Sequence, residues 1–278
     1  MANLIDTLAS VLQSSDPVLP NETKRILLKE ATQGLVLDFI YNHRIYRGLN
    51  FYGGTCLHVI FDLNRLSEDI DLDNSGGVGL DSLADDLLAY TRTSLMYPAA
   101  ELSQRESEGG ILRYTLRFPV LHELGLSDHV DERLHLKVEI SQHTQVAVIE
   151  RTPVFFYGRS FVPAHFSLET MMAGKMLACL ERSFEVGDSG VLIKGRDYYD
   201  LLWFMQRHAQ PLVEKLEKDG TQAYNVRSAM MALSERVRSI RPQDLSLDLL
   251  PLFENRTYIE NWISAFHENF ERLVGEYI

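Results

Sequence analysis

One stretch decides the fold: Tyr52-Gly-Gly-Thr-Cys-Leu-His-Val-Ile-Phe-Asp-Leu-Asn-Arg-Leu-Ser-Glu-Asp-Ile-Asp-Leu-Asp73. A mostly apolar run at 49–52 predicts a strand, and the small residues Gly53-Gly54-Thr55 follow it. Residues 56–63 are apolar enough for a buried helix. Residues 67–73 then alternate acidic and aliphatic side chains, which is typical of a half-buried strand. The stretch therefore predicts the order strand, glycine pair, helix, acidic strand.

The acidic strand carries the first candidate site. Side chains two residues apart in a strand point to the same face, so Asp69 and Asp71 project together, with Asp73 further along. Neighbouring carboxylates offer the hard oxygen ligands that Mg²⁺ takes together with substrate phosphates. The same pattern would also suit a solvated acidic face, and both interpretations stay open at this point.

The glycine pair suggests a phosphate site beside those carboxylates. Glycine lets a backbone come close to an anion, and the N–H groups that open a helix favour phosphate. Gly53, Gly54 and Thr55 are therefore candidates to hold the phosphates of a nucleotide. An ordinary turn is the alternative, and the ordered combination with the acidic strand favours the phosphate site.

A later strand offers a third carboxylate. Over 134–140 the aliphatic residues alternate with polar ones, so Lys137 and Glu139 share a face. In a sheet next to Asp69 and Asp71, Glu139 would add to their site. Phosphoryl chemistry with two cations about 4 Å apart commonly draws its carboxylates from more than one strand.

Composition limits the possible functions. The chain has 278 residues, 45% of them hydrophobic, which is enough for a sizeable core, and a net charge of −12. This balance argues against tight, sequence-independent binding of nucleic acid, although a local basic patch remains possible. Six cations could supply such a patch: Arg113, Arg117, Lys175, Arg182, Lys194 and Arg196.

Cysteine, histidine and hydrophobic patterns exclude several other classes. Cys56 and Cys179 each lie in an apolar helical pattern, which favours buried side chains over a disulfide, and no histidine spacing predicts a zinc site. The amino-terminal residues lack the basic region of a signal peptide, and no apolar run is long enough to span a bilayer. We expect a cytoplasmic protein that does not interact with membranes.

The ordered motif resembles a known family. Gly53-Gly54-Thr55-x-Leu57 followed by Arg65-x-Ser67-x-Asp69-Ile70-Asp71 is similar to the AbiEii/AbiGii-type nucleotidyltransferase toxins. These belong to bacterial toxin–antitoxin and abortive-infection systems, and their core is related to DNA polymerase β. The pair Lys137-x-Glu139 matches the lysine–acid strand of the family.

Two helical motifs extend the resemblance. Lys175, Ala178 and Arg182 match the family's Leu-x-x-x-Lys-x-x-Ala-x-x-x-Arg helix, with Met171 in place of the leading leucine. The segment Arg196-Asp197-Tyr-Tyr-Asp-Leu201 matches its Arg-Asp-x-x-Asp-Leu motif. From the residues alone, Lys175 and Arg182 could equally form surface salt bridges, and Asp197 could be a first-turn carboxylate favoured by the helix dipole.

The resemblance implies the site residues and their ligands. It implies Mg²⁺ or Mn²⁺ held by Asp69, Asp71 and Glu139, with an NTP as substrate. The implied catalytic residues are Asp69, Asp71, Glu139, Lys175 and Asp197. The implied nucleotide-binding residues are Gly53, Gly54, Thr55, Arg65, Ser67, Lys137, Arg182 and Arg196.

The resemblance also implies a function. It implies a Mg-dependent nucleotidyltransferase toxin that transfers a nucleotide from an NTP to RNA, such as tRNA, or to another cellular acceptor, and releases pyrophosphate. A cognate antitoxin would be encoded alongside. Two alternatives stay open: a nucleotidyltransferase that modifies a protein or a small molecule, and a non-catalytic nucleotide-binding interaction protein.

The expected fold is of the α/β (α+β) class. Residues 1–165 would form a nucleotidyltransferase-like core with a mixed β-sheet, flanking helices and amino-terminal helices, and 166–278 a carboxy-terminal helical domain. Strands are predicted at 100–106, 111–118 and 134–140, and a last extended segment at 154–162. A loop is predicted at 184–191, and one long helix at 258–277. Ser67 is expected to share a strand face with Asp69 and Asp71, and Arg65 to pair with a neighbouring acid or a phosphate.

Overall fold

The computed structural model describes residues 3–107, 109–182 and 193–278. The loop predicted at 184–191 lies outside these residues. The chain divides into two compact units. The first comprises Met1–Thr144 and Ile149–His165, and the second comprises Gln145–Val148 and Phe166–Ile278.

A mixed sheet forms the centre of the first unit. The strands are β1 (Asn50–Tyr52), β2 (Asp69–Asp73), β3 (Glu101–Glu106), β4 (Ile111–Phe118), β5 (Leu134–Ser141), β6 (Ile149–Arg151), β7 (Val154–Phe156), β8 (Arg159–Phe161) and β9 (Ala164–Phe166). Within the described residues, the main sheet has the order β3-β4-β5-β2-β1-β9-β6, while β7 and β8 form a separate pair. β2 runs antiparallel to β1 and parallel to β5. The expected mixed sheet with flanking helices is confirmed.

The helices of the first unit cover this sheet. They are α1 (Leu4–Ser14), α2 (Asn21–Asn42), α3 (Gly53–Phe61) and α4 (Leu83–Thr93). α2 is buried along most of its length because Leu27, Ala31 and Leu35 recur every fourth residue, which places them on one helical face. α2 contacts β5 and β8. It therefore supplies much of the core under the sheet.

The segment predicted to be extended at 154–162 turns back on itself. β7 and β8 pair antiparallel, with Val154 opposite Phe161. The two residues between them, Tyr157 and Gly158, both have positive φ, 46° and 72°. That backbone conformation matches the twist of a tight hairpin, so the segment is a hairpin and not one strand. The hydrophobic pattern alone did not reveal the turn.

The second unit is helical. It contains α5 (Leu168–Glu181), α6 (Gly195–Gln206), α7 (Val213–Lys218), α8 (Val226–Val237), α9 (Pro242–Leu249), α10 (Arg256–Ser264) and α11 (Phe266–Val274). α5 packs on α6, α7 and α8, and α6 also packs on α9 and α11. The helix predicted at 258–277 is therefore two helices, which meet at Ala265, where the backbone leaves the helical region.

Candidate active site

Strand register brings the acidic residues of the first unit together. Asp71 on β2 lies opposite Glu139 on the parallel strand β5, and Asp69 lies opposite Lys137. Directly paired residues of neighbouring strands point to the same face, so the side chains of these four residues share one face of the sheet. Lys137 Nζ lies 3.8 Å from Asp69 Oδ1.

Gly53 lies directly against the carboxylate of Asp71. Its φ is +80°, and a Cβ at this position would lie 2.8 Å from Asp71 Cγ and still closer to Oδ2. Any larger residue at position 53 would therefore be strained and would also displace the carboxylate. Gly53 is the first residue of α3, so the glycine pair forms the first turn of the helix, where N–H groups lack intrahelical partners.

The second glycine lies against a buried arginine. A Cβ on Gly54 would lie 2.7 Å from Arg65 Nη2 and 3.0 Å from Ser67 Oγ. Arg65 is only 4% exposed, and its Nη1 donates to Leu66 O at 2.9 Å. Arg65 is therefore a buried charge and not a surface one. The side chains of Arg65 and Ser67 lie against Gly54 in the first turn of α3.

The acidic strand begins later than its sequence pattern indicates. β2 spans Asp69–Asp73, so Ser67 precedes the strand and does not share a strand face with Asp69 and Asp71. The side chain amide of Gln33 donates to Ser67 O at 3.0 Å, which holds this segment against α2. Thr55, which is fully buried, donates its hydroxyl hydrogen to Asp69 O, so α3 is tied directly to the start of β2.

Glu139 has a partner that the sequence did not reveal. Arg113 on β4 lies opposite Glu139, and its Nε donates to Glu139 Oε1 at 2.7 Å. Arg113 is half exposed, and the sequence had indicated it only as a candidate for a local basic patch. The alternation within each strand indicates which residues share a face with Arg113 or with Glu139. It does not indicate that these two residues lie opposite each other, because that depends on the register between β4 and β5.

The carboxylates of the first unit suit a metal ion whose coordination is completed by phosphates of the substrate. Among the residues that the structure describes, no three acidic, histidine or cysteine side chains are arranged to hold a metal ion. Asp69 and Asp71 are two carboxylates with hard oxygen ligands on one face of the sheet. The side chain of Asp69 is partly exposed, and the carboxylate of Asp71 lies against Gly53, which has no side chain. Mg²⁺ is commonly bound by one or two carboxylates plus substrate phosphates, and this arrangement fits that mode.

A second charged cluster lies within the second unit. Lys175 on α5 contacts two carboxylates of α6: its Nζ lies 2.7 Å from Asp197 Oδ1 and 2.8 Å from Asp200 Oδ2. Asp200 is completely buried, and Lys175 is 14% exposed. This lysine therefore does not form a surface salt bridge. Asp200 was not among the candidate residues, although its spacing of three from Asp197 already placed both on one helical face.

The ionisation of Asp197 reflects these contacts. Burial opposes the charged form, but the cations of Lys175 and Arg182 outweigh it and lower the pKa of Asp197 to about 2. Arg182 Nη1 lies 3.1 Å from Asp197 Oδ2. Burial, together with the negative charge of Asp197, raises the pKa of the nearby Cys179 thiol, which is therefore protonated at neutral pH. Asp197 lies in the first turn of α6, as its interpretation as a first-turn carboxylate predicts, and it also pairs with two cations.

Further cations gather at the start of α6. The N–H of Arg196 donates to Asp248 Oδ2 at 2.8 Å. Burial, followed by the charges of Arg196 and Arg182, lowers the pKa of Lys194. The guanidinium of Arg182 is 52% exposed, so it remains accessible although it pairs with Asp197. This end of the second unit thus presents positive charge above a buried ion pair.

The candidate residues fall into two groups that the structure forms separately. The first unit brings together Gly53, Gly54, Thr55, Arg65, Ser67, Asp69, Asp71, Lys137 and Glu139 around the start of α3 and one face of the sheet. The second unit brings together Lys175, Arg182, Arg196 and Asp197 around the start of α6.

In the described part of the chain, no helix is long and apolar enough to cross a membrane.

Comparison with known proteins identifies a family for this chain. Residues 47–277 match the model of a family described as nucleotidyl transferase AbiEii toxin, type IV toxin–antitoxin system. A solved structure described as a "putative nucleotidyltransferase from H. pylori" is similar with a TM-score of 0.48 and 16% identity, over 88% of this chain and 92% of that one. No curated protein matches the chain.

Proposed function

Because the chain belongs to the AbiEii family of nucleotidyltransferase toxins of type IV toxin–antitoxin systems, we propose that it transfers a nucleotide from an NTP to RNA, such as tRNA, and releases pyrophosphate. That it is a nucleotidyltransferase follows from the family. The proposed parts are the metal, the acceptor and the residues that act. The observation that carries the proposal is the fit of Gly53 against the Asp71 carboxylate at the first turn of α3.

The first turn of α3 is proposed to bind the β- and γ-phosphates. Its N–H groups have no partner within the helix, and the helix dipole favours negative charge there. The two glycines leave no side chain between this backbone and an incoming anion. Thr55 supports the turn from below, since its hydroxyl donates to Asp69 O. Arg65 adds a fixed positive charge beneath the same turn.

Asp69 and Asp71, with Glu139 nearby, are proposed to hold Mg²⁺ or Mn²⁺ on the triphosphate. A divalent cation bound there would stabilise charge on the α-phosphate and on the leaving pyrophosphate. The protein's own contribution is to fix the two carboxylates: β2 lies between β1 and β5, so their backbone positions are held from both sides. Arg113 orients Glu139 by its hydrogen bond at 2.7 Å.

The charged cluster of the second unit is proposed to bind nucleotide phosphates through Arg182 and Arg196. Lys175 is already held by two carboxylates, so its charge is largely balanced by Asp197 and Asp200. We therefore assign Lys175 to positioning: it fixes Asp197, and Asp197 in turn directs the guanidinium of Arg182. Arg182 has the accessible charge that a phosphate requires.

The transferase proposal is tested with labelled nucleotide. Purified protein is incubated with each α-labelled NTP, Mg²⁺ and separate pools of total RNA, protein and small molecules. Label is expected in the RNA pool and is expected to be absent with Asp71→Asn, which keeps the size of the side chain but removes its charge. A matched variant, Asp81→Asn in the loop before α4, should retain transfer. Near-normal transfer by Asp71→Asn would refute the assignment.

The toxin proposal needs a separate test in cells. Expression of the chain without its proposed antitoxin should arrest bacterial growth, and expression of Asp71→Asn at the same level should not. Equal growth of both cultures would leave a transferase that is not toxic. Label in the protein or small-molecule pool would instead favour the other class of acceptor, which the acidic net charge of −12 also allows.

A further inference from the structure

A cavity of about 970 Å³ opens in the first unit, and none of the residues assigned to catalysis lines it. One wall comes from the end of α2 and the short turn that follows it, at 41–48, and the other from 151–162, which includes the β7–β8 hairpin. Its size is at the upper end of the range typical of ligand sites, roughly 300–1,000 Å³. No role proposed so far uses it.

The cavity concentrates positive charge in an acidic protein. Arg44, Arg47 and Arg151 line it, and no aspartate or glutamate does, although the chain carries a net charge of −12. Within the described residues, none of these three side chains forms an ion pair with an acid. The neighbouring Arg159, by contrast, lies 3.7 Å from Asp38. The three guanidiniums are therefore available to an anionic ligand.

The same cavity also exposes apolar side chains. Phe155 is 77% exposed, and Ile45 and Val162 are about half exposed. Phe155 lies on β7 next to the tight turn at Tyr157, so its backbone is held while its ring faces solvent. An exposed aromatic ring beside arginines is the combination on which single-stranded nucleic acid binds, since bases stack on rings and phosphates pair with guanidiniums.

We propose that this cavity binds a single-stranded segment of the RNA acceptor, with Arg44, Arg47 and Arg151 on its phosphates and Phe155 against a base. The inference rests on the proposed function for the choice of RNA and adds a binding site to it. The net negative charge of the chain repels a polyanion, so binding requires a local basic surface, and this cavity supplies one. Arginine also recognises carboxylates, but aspartate and glutamate carry no ring, whereas every nucleotide of a single strand carries a base that can stack on Phe155.

The test measures binding without transfer. A short fluorescein-labelled oligouridylate is titrated with the full chain carrying Asp71→Asn, without NTP, and fluorescence anisotropy is recorded over a series of salt concentrations. Three phosphate contacts predict a slope of log K against log salt of about −2, since each contact on a single strand contributes about 0.7. Arg47→Ala should weaken binding and reduce that slope by about 0.7.

Phe155→Ala should weaken binding by about 5- to 150-fold and leave the salt slope unchanged, because stacking releases no counterions. The control is Arg227→Ala, which removes an exposed arginine of the second unit and should bind like the parent protein. Arg47, Phe155 and Arg227 are exposed, so their replacement should leave the melting temperature unchanged. Equal melting temperatures then show that each variant is folded.

Two results would overturn the inference. One is equal RNA affinity for the parent protein, Arg47→Ala and Phe155→Ala. The other is displacement from the cavity by oligoglutamate at lower concentration than by unlabelled RNA, which would make it a site for an acidic protein segment. Failure of the proposed function looks different: label would then appear outside the RNA pool, or Asp71→Asn would transfer nucleotide normally, whatever the binding measurements give.

Discussion

The buried ion pair of the second unit gives a quantitative prediction. Asp197 is 6% exposed and has a pKa of about 2, against 3.8 for an ordinary aspartate. Each pKa unit corresponds to about 1.4 kcal/mol, so its charge contributes about 2 kcal/mol to stability at neutral pH. Asp197→Asn should therefore lower the free energy of unfolding at pH 7 by about 2 kcal/mol. Removal of one partner from a buried ion pair typically costs roughly 3–5 kcal/mol, which is the upper bound of the expected loss of stability.

The pH dependence has a definite sign. A carboxylate whose pKa is lower in the folded state stabilises the fold above its unfolded pKa, and this contribution disappears as the pH falls through the folded value. The relevant window runs from pH 3.8 down to about 2. The difference between the parent protein and Asp197→Asn should therefore be full at pH 7 and fall to roughly half at pH 3.

Urea unfolding monitored by tryptophan fluorescence measures this effect selectively. Both tryptophans of the chain, Trp203 and Trp262, lie in the second unit, so the signal reports the unit that contains Asp197. Glu235→Gln is the matched control: Glu235 pairs with Arg238 on the exposed surface, where ion pairs contribute little. A urea midpoint at pH 7 equal to that of the parent protein, or a difference that persists unchanged at pH 3, would refute the reasoning.

Three further predictions concern the nucleotide site. Gly53→Ala should lower transfer roughly 100-fold, because its Cβ displaces the Asp71 carboxylate, whereas Gly54→Ala should cost less, since its Cβ meets the side chains of Arg65 and Ser67 and no carboxylate; equal rates for both variants would contradict this. Arg65→Ala should lower both transfer and the melting temperature, because it removes a buried donor at about 1–3 kcal/mol; an unchanged melting temperature and rate would show that the residue has no role. Arg182→Ala should weaken nucleotide binding in calorimetry by about 1.5–3 kcal/mol, and unchanged affinity would exclude a phosphate contact.

Local sequence determined the central elements and the family. Alternation over 69–73 placed Asp69 and Asp71 on one face, because strand periodicity is a property of neighbouring residues, and β2 has that alternation. The α/β class, the family and the nucleotidyltransferase activity are confirmed. The start of β2 was predicted two residues too early, since the polar residue at position 67 continues the alternation without a strand partner.

The partners of the charged residues were decided only by tertiary structure. Arg113 faces Glu139 because β4 pairs with β5 in one particular register, and Lys175 lies between Asp197 and Asp200 because α5 packs on α6. Neither arrangement can be deduced from spacing, since each joins segments far apart in the chain whose relative position depends on burial of the whole core. The arginine-lined cavity has the same origin: its two walls are separated by about a hundred residues of sequence, and only the folded sheet and α2 bring them together.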